Sequence, residues 1–155
     1  MDETLQVLSV VAVVGSVLVL AWQGREVARA TRLATKTAVA GVMTDAASNV
    51  RAVFEALLAH PELRPYITDG VPLPRTPLEH ARAQTLCEML CDAIEASLQA
   101  ATQVPGADKV LGGWPDWAAW VLGASPGCAD HVRQNPAWYP LLAPLQPAPT
   151  PGRQP

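Results

Sequence analysis

The sequence predicts an all-α protein: one amino-terminal transmembrane helix continuing into a long helix, then a small helical bundle. Three observations carry this. No charged side chain stands between Glu3 and Arg25, and the run from Leu5 to Trp22 is nearly continuous Leu, Val and Ala. No proline interrupts Gly24 to Ala59. Beyond Ala59 the apolar residues recur at helical spacing between Pro, Gly and Ser punctuation, and no stretch alternates as a strand would. Organised in this way, the chain divides into an anchor over 1–24, a helical cytoplasmic domain over 25–142 and a proline-rich disordered tail over 143–155.

The length of 155 residues allows one domain of ordinary size. Half the chain is apolar and 16% is charged, a composition that excludes wholesale disorder. The net charge of -3 excludes a dedicated nucleic-acid binder, because phosphate contacts need a basic face.

The anchor comes first. As a helix the uncharged run reaches about 31 Å, close to the hydrocarbon thickness of a bilayer. A cleaved signal peptide fits poorly, since the chain starts Met1-Asp2-Glu3-Thr4 in place of a basic region. Arg25, Arg29, Arg32 and Lys36 follow the run and nothing basic precedes it. The positive-inside rule therefore sets the amino end outside and the remainder in the cytoplasm, at the inner (plasma) membrane. Trp22 stands where an interfacial aromatic is expected. Three scattered cysteines form no disulfide framework and suit a reducing compartment.

The long helix should end near His60, before Pro61. Its candidate packing stripe is Ala40, Met43, Ala47, Val50, Phe54 and Leu57, spaced alternately three and four apart. That seam suits packing on the rest of the domain or a coiled coil. Pro61 can open a short turn, and Thr68 to Pro74 reads as a loop.

Thr76-Pro77-Leu78-Glu79 has the form of a capping box and opens the next helix, with Thr76 as N-cap. Leu78, Leu86, Met89, Leu90, Ala93, Ile94, Ser97 and Ala101 trace its apolar stripe, whereas Glu88, Asp92 and Glu95 read as a solvated face. A further helix opens near Pro115, and another at Ser125-Pro126 that closes near Asn135-Pro136.

Candidate chemistry centres on sulfur and imidazole. Cys87 and Cys91 share a helical face with His80 one heptad earlier, and Cys128 or His131 would complete a zinc set. The CxxC spacing of zinc knuckles is absent. Cys128 in a first helical turn is a candidate low-pKa thiol, with His131 as its base. The opposing reading makes all three cysteines ordinary small core residues. No P-loop or dinucleotide motif occurs, so no cofactor is implied and no residue is assigned as catalytic, cofactor-binding or metal-ligating.

Five of the aromatic residues are tryptophans. Trp117 and Trp120, at i and i+3, are expected in the core, while Trp114 and Trp138 suit core or docking surface equally.

The phrase His60 to Gly70, the Ala/Leu-rich helix around Glu88-Met89-Leu90, Trp117 to Val121, Ser125-Pro126 and Trp138-Tyr139 together resemble a group of small uncharacterised bacterial proteins. The resemblance covers about residues 50–140. It implies one amino-terminal span with a helical cytoplasmic domain, and brings no reaction, cofactor or site residues. The function expected is that of a non-enzymatic, membrane-anchored module that binds a protein partner or itself. Two alternatives stand beside it. One is a thiol- or metal-dependent enzyme or redox sensor using Cys87, Cys91 and Cys128. The other is an effector that perturbs membranes through its span.

Overall fold

In the computed structural model the described residues are 2–146, with side chains described from Val13 onward except at residue 14. Every regular element among them is helical: α1 (Asp2–Ala59), α2 (Arg64–Thr68), α3 (Pro77–Gln103), α4 (Trp114–Ala124) and α5 (Pro126–Gln134), with short 3-10 turns at Pro61–Leu63, Ala107–Lys109 and Ala143–Leu145. The all-α expectation holds.

The chain forms two units, residues 1–38 and 39–155. The first is wholly helical where it is described, and its threonines bond back along the helix: Thr31, Thr35 and Thr37 hydroxyls donate to the carbonyls of Val27, Thr31 and Leu33. Such bonds satisfy the hydroxyls without any outside partner. Among the described residues no helix is long and apolar enough to cross a membrane. Half of the predicted anchor's apolar run, Leu5 to Trp22, falls on side chains outside the described ones.

In the second unit α3 is the central element, meeting α5, α4 and α2. Its buried face, Ala83, Leu86, Cys87, Leu90, Cys91, Ile94 and Leu98, keeps the three-and-four spacing of a helix packed along its length. Val53 and Leu57 of α1, Leu63 and Ile67 around α2, and Val121, Leu122 and Val132 of α4 and α5 complete the core.

The heptad spacing of α1 is present, with Val50 and Leu57 covered as expected but the other four positions shifted by one residue. The covered positions are Val39, Val42, Ala46, Val50, Val53 and Leu57. Met43 and Phe54, expected to pack, are instead exposed. Val next to Met or Phe leaves two adjacent apolar stripes on this helix, and spacing alone does not choose between them.

The helix ends fall where the punctuation sets them. Helix α1 stops one residue before His60, and Ser125 caps α5, its Oγ accepting the Cys128 amide at 3.3 Å. That same hydroxyl donates to the Tyr66 carbonyl at 2.8 Å, so one buried serine ties α5 to α2. Helix α3 does begin at Pro77, but no capping box forms, because the Thr76 side chain makes no cap bond. Its start rests on the His80 amide bonding to the Thr76 carbonyl at 2.8 Å.

The carboxyl end departs from expectation. Trp138 to Gln146 is laid down as a strap with Tyr139 and Leu142 in the core. The 3-10 turn Ala143–Leu145 and a bond from the Gln146 carboxamide to the Ala129 carbonyl, 3.1 Å, extend order past residue 142. The remainder of the predicted tail, 147–155, lies outside the described residues.

Candidate functional site

The three thiols do converge. Helix α3 places Cys87 and Cys91 one turn apart on its buried face, and Cys128 in the first turn of α5 lies against them, all three free and fully buried. The approach is close because Gly127 has no side chain: a Cβ there would fall 2.9 Å from Cys87 Sγ and 2.8 Å from Leu73 Cδ2. Cys87 Sγ lies 3.9 Å from Ser125 Oγ, and the Cys128 thiol points to the Cys87 carbonyl at 4.0 Å. The Cys91 thiol points in turn to the Cys128 carbonyl at 3.9 Å.

This environment keeps Cys87 and Cys128 protonated. The Cys128 thiol and burial push Cys87 far above the usual thiol range. At Cys128 the Cys87 thiol pulls the value down, but the Cys91 thiol and burial outweigh it and hold the group at about 12. The α5 dipole alone predicts a lowered pKa, and desolvation overturns that expectation. A buried thiol with no cation beside it is a poor nucleophile.

Nor do the imidazoles join the sulfurs. His80 is exposed on the first turn of α3, and its Nδ1–H donates to the Pro74 carbonyl at 2.9 Å. His131 is one of the buried residues of α5, but its Nε2 lies 2.9 Å from Tyr139 Oη and is engaged there. Among the described residues no group of three or more His, Cys, Asp or Glu is arranged to hold a metal ion.

The polar face expected on α3 is in fact a binding face for the strap. Glu95 is buried and accepts the backbone amides of Leu141 (3.2 and 3.3 Å to its two oxygens) and Leu142 (3.0 Å). The Gln99 carboxamide adds a fourth bond at 3.2 Å. Asp92, one turn before, accepts the Tyr139 hydroxyl at 2.7 Å. Burial, with the Asp92 carboxylate beside it, pushes the Tyr139 phenol well above its ordinary range. A chain of three groups results, Asp92 to Tyr139 to His131, running from the surface into the fold. Spacing on α3 could not reveal it, since its partners, Tyr139 and His131, are distant in sequence.

On the surface, Trp114 and Trp117 meet edge to face, ring centres 5.1 Å apart, and lie partly buried on the core. Trp120, expected inside, is 55% exposed, and Trp138 is 65% exposed. The phase of α4 explains this: Ala118, Val121 and Leu122 occupy its inward positions.

No family model, curated protein or solved structure matches this chain.

Proposed function

We propose that this protein is a membrane-anchored helical module that binds a protein partner or a second copy of itself on the cytoplasmic face, and that it catalyses no reaction. The observation that carries the reading is the second stripe of α1. Beside the buried Val53 and Leu57, the same helix leaves Met43, Phe54 and Leu58 uncovered. A large apolar side chain in water is costly, and several on one helix face mark a surface made to be covered.

Two further features support it. The first unit carries exposed Val17, Leu18, Val19, Leu20 and Trp22, which suits lipid as their solvent. Anchoring would confine partners to one surface and raise their effective concentration. The buried, protonated thiols of Cys87 and Cys128 speak against the thiol-enzyme alternative, which needs one reactive sulfur.

The test is chemical crosslinking of the full-length chain in its native membrane, followed by the triple variant Met43→Glu, Phe54→Glu, Leu58→Glu. A discrete crosslinked species that the triple variant loses, while remaining folded and in the membrane fraction, is the expected result. A wild-type chain that crosslinks only as a monomer overturns the reading. Recovery of the intact chain from the aqueous phase without detergent would remove the anchor.

A further inference from the structure

A half-open cavity of about 340 Å³ lies between the start of α3 and α5, lined by His80, Gln84, Asp130, His131 and Gln134 with Leu73. The protonation of its two imidazoles follows from their partners. A carbonyl only accepts, so His80 Nδ1 carries the proton toward Pro74 and Nε2 keeps its lone pair in the neutral ring. The Asp92 carboxylate also only accepts, so the Tyr139 hydroxyl donates outward to it and must accept from His131 Nε2–H. His131 Nδ1 is then the lone-pair nitrogen of that ring.

That nitrogen has no hydrogen-bond partner in the protein, and because no buried side-chain nitrogen or oxygen among the described residues lacks one, it is open to its surroundings. His131 is only 8% exposed and is among the residues that line the cavity. The carboxamides of Gln84 and Gln134 are likewise without side-chain partners. Asp130 adds a carboxylate, paired along the helix with Arg133, and no Lys or Arg lines the space. The lining is therefore rich in acceptors and has no cation of its own.

We propose that this cavity is a binding site for a primary ammonium group, with His131 Nδ1 and His80 Nε2 as directed acceptors and Asp130 as the nearby charge. An ammonium offers three donors and a positive charge, the complement of such a lining. Tyr139 is a positioning residue here: by holding Nε2–H it keeps Nδ1 free to accept. The site stands apart from the α1 face, so its failure leaves the docking proposal untouched.

The test is NMR observation of the imidazole resonances of the purified full-length chain in mild detergent, titrated at neutral pH with n-butylammonium chloride. 1-Pentanol and butyrate serve as neutral and anionic comparators of similar size. Saturable shifts at both His80 and His131 with the ammonium alone are expected. The exposed-site variant His80→Phe should weaken binding by about fivefold, the worth of one neutral hydrogen bond. Tyr139→Phe should weaken it too while the His131 ring changes its tautomer signature. Nα-acetyl-lysinamide separates the sources: tighter binding than n-butylammonium assigns the site to a lysine of a peptide, equal binding to a free amine. Shifts of equal size with pentanol or butyrate, or none that saturate with the ammonium, overturn the proposal.

Discussion

Tyr139 Oη donates to Asp92 Oδ1 at 2.7 Å, joining the carboxyl-terminal strap to the middle of α3. The ring is buried among the core side chains while the carboxylate it reaches stands at the surface. The hydroxyl also takes the His131 Nε2–H, so one atom serves two elements. Tyr139→Phe should keep the ring packing and strand the His131 N–H away from an acceptor. A destabilisation of about 1–3 kcal/mol is expected, read from urea unfolding of the full-length chain. Asp92→Asn should cost less, because its side chain is already in water.

The same phenol makes stability fall at alkaline pH. Its folded pKa is raised above the unfolded value of 10.0, so its contribution is complete below pH 10 and is lost as pH rises further. Cys128 acts in the same sense earlier, with an unfolded value of 9.0 and a folded value of about 12. Unfolding free energy should thus be free of both effects up to pH 9 and decline progressively toward pH 12. In the Cys128→Ala variant the decline should be shallower but still begin near pH 9, because Cys87 has the same unfolded value and a raised folded one. A profile that rises between pH 9 and 11 would contradict both assignments.

Thiol labelling offers an independent check on the same burial. Native chain at pH 8 should react with iodoacetamide far more slowly than a free cysteine peptide, at all three positions. Denaturant should release all three together, because they belong to one packed cluster.

Glu95 is expected to hold the strap. Glu95→Gln retains the size but leaves one acceptor oxygen for the amides of Leu141 and Leu142. A loss of about 1–3 kcal/mol follows if one buried amide is left unbonded. Hydrogen exchange should show the protection lost first at those two amides, ahead of the α3 interior.

Two glycines separate packing from backbone effects. Gly127→Ala would drive a methyl to within 3 Å of both Leu73 and Cys87, an overpacking expected to cost about 1–3 kcal/mol. Gly123, inside α4 and exposed, has nothing within 4 Å of the place a methyl group would take. Gly123→Ala should therefore stabilise by about 0.5–1 kcal/mol, the helix preference of alanine over glycine. Thermal unfolding of the two variants gives shifts of opposite sign.

Much of the architecture is legible in the chain itself, and the reasons differ by element. Pro61, Pro77 and Ser125-Pro126 act on their own backbone, so the ends they set need no knowledge of the fold. Trp120, Glu95 and the strap are not legible in this way, because their placement depends on partners distant in sequence. A carboxylate on a helix reads as solvated until two unpaired amides arrive from residues 141 and 142. The relay through Tyr139 is invisible for the same reason, and so is the acceptor character it imposes on His131.

The phase of α1 decides which of its two apolar stripes is structural. Val53 is 2% exposed and Phe54 50% exposed, although both are apolar and adjacent. Truncating a buried Leu to Ala costs about 2–5 kcal/mol, because transfer and cavity terms add. Leu57→Ala should fall in that range, and Val53→Ala should also destabilise, by a smaller amount for the smaller side chain. Phe54→Ala and Met43→Ala should change unfolding by no more than about 0.5 kcal/mol, as surface substitutions do. The same two variants should weaken crosslinking in the membrane if that stripe is the docking face. A large destabilisation from Phe54→Ala with none from Val53→Ala would restore the other register and bury the surface on which the proposed association depends.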